Sequence, residues 1–234
     1  GKGGVGKSTT SINLALAFAA QGLKTAILDA DIYGPSLPRL LGLNEKPRSE
    51  NNKLIPLSAF GLEAMSIGFL VDEDAPTIWR GPMVMSAVQQ MLRDVAWGDL
   101  DILVIDMPPG TGDAQLTLSQ RADLAGAVIV STPQDLALID ARKGLNMFRR
   151  VNVPVLGIVE NMSYFVCPSC NEISDIFGTG GAKAEAERLG LPFLGGIPLD
   201  MEIRATSDAG TPIVAENFSS PHAQAYVKIA QTLT

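Results

Sequence analysis

The sequence is short of cysteine, of long apolar runs and of basic charge, and each shortage narrows what the chain can do. Cysteine occurs only twice in 234 residues, both times within Cys167-Pro168-Ser169-Cys170. That usage points away from a disulfide framework and toward a metal or redox site. No apolar run approaches the ~18–20 residues that a membrane-spanning helix needs, and the richest stretch, 125–130, has the length of a buried strand. Lysine and arginine total 18 against 25 acids, a formal charge of −7. Nonspecific nucleic-acid binding depends on basic groups neutralising phosphates, so no nucleic-acid partner is expected. A polybasic amphipathic tail is missing too, so no membrane partner is expected. The one histidine, His222, follows Ser220-Pro221 at a helix start and reads as a surface residue rather than a ligand.

What remains is an ordinary globular composition, 46% hydrophobic and 18% charged, long enough for one well-buried domain. Short, nearly continuous apolar runs at 24–28, 101–105, 127–130, 154–159 and 193–197 read as strands covered on both faces. Helical patterns at 9–21, 83–96, 136–150, 182–189 and 221–233 alternate with them. The alternation predicts an α/β fold, a mostly parallel sheet with helices on both faces. Such sheets bind ligands at the carboxyl ends of their strands. Residues 42–52, rich in Asn, Glu, Lys and Pro, read as a mobile loop.

The chemistry begins at the first residue. Gly1-Lys2-Gly3-Gly4-Val5-Gly6-Lys7-Ser8 satisfies G-x-x-x-x-G-K-S in full. Glycines let successive N–H groups turn inward around phosphate oxygens, and the following helix adds its positive end. Lys7 is expected on the β- and γ-phosphates, Ser8 on Mg²⁺ and Thr9 on the α-phosphate of ATP. The second lysine, Lys2, marks the deviant Walker A form of the P-loop NTPase. In that class it reaches across a dimer interface and supplies charge in trans, as an arginine finger does. A P-loop normally follows a strand, so a strand is expected upstream of Gly1.

Carboxylates follow in order. Asp29 and Asp31 come just past the 24–28 strand, and Asp31 is the candidate for orienting the attacking water and supporting Mg²⁺. Asp106 ends the next strand as a Walker B aspartate does, holding Mg²⁺ through water. Gly110, Thr111, Gly112 and Asp113 form a glycine-rich switch II segment. Asn161, after the 154–159 strand, is a candidate for adenine, with Pro198 and Asp200 closing the other side. By their types alone, Cys167 and Cys170 fit a bridging cluster, a structural zinc or a redox pair.

Together these residues resemble the Mrp/ApbC family. The resemblance is carried by residues 1–9, Asp31-Ile32-Tyr33-Gly34-Pro35-Ser36, Trp79-Arg80-Gly81-Pro82, Asp106-Met107-Pro108-Pro109-Gly110-Thr111-Gly112-Asp113, Asn161-Met162-Ser163 and the cysteine pair. It is also similar to the eukaryotic nucleotide-binding-protein-like members that serve mitochondrial complex I. The resemblance implies a slow ATPase that carries iron–sulfur clusters. It further implies a homodimer bridging a [4Fe–4S] cluster through Cys167 and Cys170 and exchanging it with scaffold proteins and client apoproteins. A cluster of that type takes four thiolates and one chain supplies two, so the dimer completes the set. The resemblance implies a bacterial cytoplasm or, second, a mitochondrial matrix. It assigns no physical role to Trp79 and Arg80.

Overall fold

The computed structural model describes residues 3–71, 81–110, 112–167, 169–170, 172–178 and 180–234, with backbone alone at 81, 82, 84, 85, 113, 114, 135 and 136. Gly1, Lys2, Trp79, Arg80, Thr111 and the side chain of Asp113 therefore lie outside the described residues.

The elements run α1 (Lys7–Ala20), β1 (Thr25–Asp29), α2 (Leu37–Leu41), β2 (Ser49–Glu50), β3 (Lys53–Leu54), β4 (Leu57–Ala59), β5 (Leu62–Ser66) and α3 (Gly81–Arg93). Then come β6 (Ile102–Asp106), α4 (Asp113–Arg121), β7 (Ala127–Ser131), α5 (Asp135–Arg150), β8 (Val155–Glu160), β9 (Phe165–Val166) and β10 (Ile173–Ser174). The chain ends with α6 (Gly181–Leu189), β11 (Phe193–Gly196), α7 (Met201–Ala209), α8 (Ile213–Glu216) and α9 (Pro221–Leu233). All five strands and all five helices expected from the sequence are present, shifted by no more than three residues at any end.

The strands pair in the orders β4-β5-β1-β6 and β11-β8-β7, parallel except for the edge pair β4–β5. Helices cover both faces, as the side chains themselves record. In β8, Val159 belongs to the core built around α1 and α9, whereas its neighbour Ile158 belongs to the cluster with Leu138 and Leu145 of α5 and Ala182 and Ala186 of α6. Val128 and Ile129 of β7 divide in the same way. Successive strand side chains point to opposite faces, so both faces are buried. Asn13 ties α1 to α8: fully buried, it donates to the Thr9 carbonyl and accepts from the Val214 N–H at 3.1 Å.

Ile105 and Asp106 of β6 and Val128, Ile129 and Val130 of β7 line one cavity, and no described strand pairs with the edges these two strands turn toward it. The segment read as a loop at 42–52 contains a hairpin: β2 pairs with β3 around Asn51 and Asn52. Both asparagines have positive φ (51° and 62°), the backbone that a two-residue type I′ turn requires. No described helix is long and apolar enough to cross a membrane.

Candidate nucleotide and metal site

The candidate phosphate-loop residues and Asp106 come together where the end of β6 meets the start of α1. Gly6 takes a left-handed conformation (φ 83°) as N-cap of α1, so no side chain caps the helix, and its first turn carries no acid. A helix start of this kind leaves its N–H groups directed at an incoming anion. Gly6 is also forced by packing: a Cβ there would stand 2.1 Å from Nδ2 of Asn161. A shallow hollow lined by Ala19, Ala20, Gly22 and Phe60 lies at the other end of α1. It is about 20 Å from the loop at 1.5 Å per residue, too far to serve the phosphates.

Three carboxylates lie at the ends of β1 and β6 or just beyond, and two of them, Asp31 and Asp106, feel the charge of Lys7 at this helix start. Asp29 and Asp106 end adjacent strands in register, and both are buried. The Asp29 carboxyl is pushed up to about 7, first by burial and then by the charge of Asp106. It accepts from the N–H groups of Asp31 (3.0 Å), Ser36 (2.9 Å) and Leu37 (3.1 Å) and from Ser66 Oγ (3.1 Å). Asp29 is thereby the peg on which the Asp31 loop and the start of α2 are hung. Burial raises Asp106 as well, opposed by hydrogen bonds from Ser8 and Ser11 and by the Lys7 charge; the Ser11 Oγ bond is 3.1 Å. Asp31 is raised by burial, while the N–H groups of Tyr33 and Gly34 and the nearby Lys7 pull it down. Two partly desolvated acids, Asp31 and Asp106, beside one lysine suit a bound divalent cation, whose charge would offset their cost.

Gln115 in α4 escaped the sequence reading. Its amide donates to the Pro108 carbonyl, and its Oε1 is buried without a partner among the described residues. It lines the same cavity as Lys7, Ser11, Asp106 and Gly110. An unpartnered buried acceptor there fits a ligand or water that donates to it. Gly110, with φ 94° and open space around it, gives the preceding segment its turn, and Gly112 precedes α4 without a side-chain cap.

Asn161 sits at the end of β8 and is almost fully buried, its Nδ2 donating to the Val5 carbonyl of the loop at 2.9 Å. Its amide thus underpins the phosphate loop in this structure. Pro198, just after β11, is buried, and Asp200 caps α7 by accepting the Glu202 N–H at 2.6 Å. His222 is not the surface residue expected. The starts of α7 and α9 meet, so it is only 18% exposed, with Nε2 3.6 Å from Asp200 and 3.7 Å from Glu202.

The cysteines lie on an antiparallel hairpin, β9–β10, that leaves the end of β8. Cys167 donates its N–H to the Glu172 carbonyl at 2.9 Å and is half-buried, whereas Cys170 is exposed. Hydrogen bonds from the backbone N–H groups of Ser169 and Cys170 lower the Cys167 thiol, favouring the thiolate that metals bind. The hairpin and its exit carry Ile173, Ile176 and Phe177, all exposed.

Comparison with known proteins settles the ancestry of this arrangement. The family model for ParA, described as NUBPL iron-transfer P-loop NTPase, matches residues 1–234. The chain belongs to that family. Among NUBPL-type relatives, the Arabidopsis thaliana iron-sulfur protein required for NADH dehydrogenase, mitochondrial, is 56% identical over all of this chain and 75% of its own length. The Mus musculus iron-sulfur cluster transfer protein NUBPL is 56% identical over 98% of this chain and 73% of its own. The Haemophilus influenzae iron-sulfur cluster carrier protein is 55% identical over the whole chain, which spans only 64% of that protein. Among solved structures, the Archaeoglobus fulgidus nucleotide-binding protein in complex with ADP superposes with a TM-score of 0.83 at 43% identity, over 96% of this chain and 87% of that one. The Pyrococcus furiosus cell division ATPase MinD shares the fold, with a TM-score of 0.74 at 22% identity over 100% of this chain and 94% of its own. The resemblance read from the motifs is thus a family membership, and the α/β P-loop fold is that of the NUBPL-type NTPases.

Proposed function

We propose that this protein binds and slowly hydrolyses ATP and, as a homodimer, carries a [4Fe–4S] cluster that it passes to apoprotein clients. The observation that carries this reading is the hairpin bearing Cys167 and Cys170, on the segment that follows Asn161, whose amide touches the P-loop. Its Cys167 thiol is steered toward the thiolate, and its apolar residues Ile173, Ile176 and Phe177 are open to solvent. One chain offers two thiolates, so two hairpins brought together by that apolar surface would supply the four that such a cluster takes.

In the nucleotide site, the N–H groups of the 3–8 loop and the start of α1 would hold the phosphates of ATP, with Lys7 on the β- and γ-phosphates and Thr9 on the α-phosphate. Ser8, Asp31 and Asp106 would hold Mg²⁺, which neutralises phosphate charge when bound. Asp31, whose N–H is held by Asp29, would orient the attacking water. Lys2 from the partner subunit would contribute charge in trans. Gly110, Thr111, Gly112 and Asp113 would sense the γ-phosphate as switch II. Asn161, Pro198 and Asp200 would border the base. The cavity between β6 and β7 has strand edges on both sides, which supports the expected strand ahead of Gly1. Scaffold proteins would load the cluster, in a bacterial cytoplasm or, second, a mitochondrial matrix.

The test is transfer. Protein loaded with iron and sulfide under anaerobic conditions is mixed with an apo-acceptor that needs a [4Fe–4S] cluster, and acceptor activity is followed. Activation by wild type and none by Cys167→Ala is expected. Equal activation by both would remove the carrier reading.

A further inference from the structure

We propose that Glu160 and Asn161 form the link through which the nucleotide site and the cysteine segment sense each other. The two residues end β8 and face in different directions. Glu160 is 1% exposed, and its carboxylate gathers both ends of the segment that carries Cys167 and Cys170. At the start of that segment, Ser163 Oγ donates to Oε1 at 2.6 Å. At its end, the N–H of Gly180 donates to the same oxygen at 3.2 Å and the N–H of Ala182 donates to Oε2 at 2.7 Å. One buried carboxylate therefore closes the loop from which the cysteine hairpin projects.

Asn161 is fixed from the opposite side. Its N–H donates to the Ser131 carbonyl of β7 at 2.7 Å, and its Nδ2 donates to the Val5 carbonyl at 2.9 Å. Met162 then adopts a left-handed φ of 54°, which turns the chain so that the Ser163 N–H meets the Ile197 carbonyl at 2.9 Å. A non-glycine residue in that region is a local cost that the surrounding bonds must sustain.

The Val5 carbonyl belongs to a residue flanked by two glycines of positive φ, Gly4 and Gly6. Its direction is set by the conformation of the phosphate loop. A nucleotide that fixes that conformation fixes the acceptor of Asn161, and the adjoining peptide carries the effect to the carboxylate holding the cysteine segment. A ligand shifts such an equilibrium by its differential affinity for the two arrangements. A glutamate is required because donors approach both of its oxygens. Glutamine would turn an NH₂ toward one of the N–H groups of Gly180 or Ala182.

The consequence for cargo rests on the carrier reading, but the link is measured without cargo. Hydrogen–deuterium exchange of metal-free protein is followed with and without saturating ADP. In wild type, amides in 163–182 are expected to slow by about fivefold or more on adding ADP, the lower end of ordinary coupling between sites. In Glu160→Gln, protection of the 3–10 segment by ADP should persist while that of 163–182 disappears. Ser163→Ala removes a single donor and should shrink the same fold-change, which keeps the test decisive if Glu160→Gln does not fold. A cysteine segment indifferent to ADP in wild type overturns the proposal, as does an undiminished response in the variants. Failure of the carrier reading would instead show in iron and sulfide content.

Discussion

Asp29 and Asp106 stand abreast at the ends of neighbouring parallel strands, both buried, and the charge of Asp106 adds to the cost of ionising Asp29. The folded value of Asp29, about 7, lies above the 3.8 of an unperturbed carboxyl. Its contribution to stability is therefore complete below pH ~4 and lost as pH rises through ~7. At 1.36 kcal/mol per unit, the loss is on the order of 4 kcal/mol. Asp31 and Asp106 are shifted in the same direction. The melting temperature of nucleotide-free protein should fall by several degrees between pH 5.5 and 8, and Asp29→Asn should flatten that slope. A midpoint that climbs across this window would show the carboxylates to be otherwise compensated.

Among the described residues, Lys7 is the phosphate-loop cation whose charge acts on Asp31 and Asp106. Lys7→Ala should weaken ATP binding at least 100-fold, about 2.7 kcal/mol, while the helix still forms. Calorimetric titration measures this directly, and affinity within twofold of wild type would remove the phosphate-site assignment.

Gly6→Ala tests the contact beneath the loop. An alanine there meets Asn161 Nδ2 and must hold a φ of 83°, a conformation costing roughly 1–2 kcal/mol for an L-residue. Both stability and nucleotide affinity should drop. Adding Asn161→Ala removes the clash together with the Nδ2–Val5 hydrogen bond, so it should cost less in the Gly6→Ala background than in wild type. A Gly6→Ala protein as stable as wild type would contradict the geometry.

Glu185 offers a control away from the site. It is 4% exposed and bridges Arg142 (2.6 Å) and Arg188 (2.5 Å) between α5 and α6. Hydrogen bonds from Arg188 and then Arg142 hold its carboxyl down to about 2. That stability is present above pH ~4.5 and lost as pH falls through ~2. Both guanidinium groups are about half exposed, so Glu185→Gln should cost only about 1 kcal/mol at pH 7. The gap from wild type should close in acid. Denaturant titrations at pH 7 and pH 3 measure it, and a gap that widens in acid would be the wrong sign.

Much of this architecture is legible in the residues because two physical signals are strong. Strands buried on both faces must be apolar throughout, which exposes β1, β6, β7 and β8 at sight, and the glycine pattern of the phosphate loop admits few other conformations. β5 escaped because Leu62-Glu63-Ala64-Met65-Ser66 has neither alternation nor β-branched residues; pairing with β1 makes it a strand. α7 escaped because its sequence is polar and its cap, Asp200, reads equally as a ligand. For Asn161, the sequence indicates a polar residue at a strand end, and only the fold brings its amide under Val5. Glu160 and Gln115 carry little local signal, since the role of Glu160 depends on Gly180 and Ala182 as well as nearby Ser163 and that of Gln115 on a cavity between strands.

The central claim is that two chains share one cluster, and anaerobic purification followed by iron, sulfide and zinc analysis of the size-separated dimer tests it most directly. The account predicts about four iron and four sulfide per dimer, with the visible absorbance lost in Cys170→Ala. About one zinc per dimer with no sulfide would contradict it and leave a nucleotide-dependent switch or scaffold held by structural zinc.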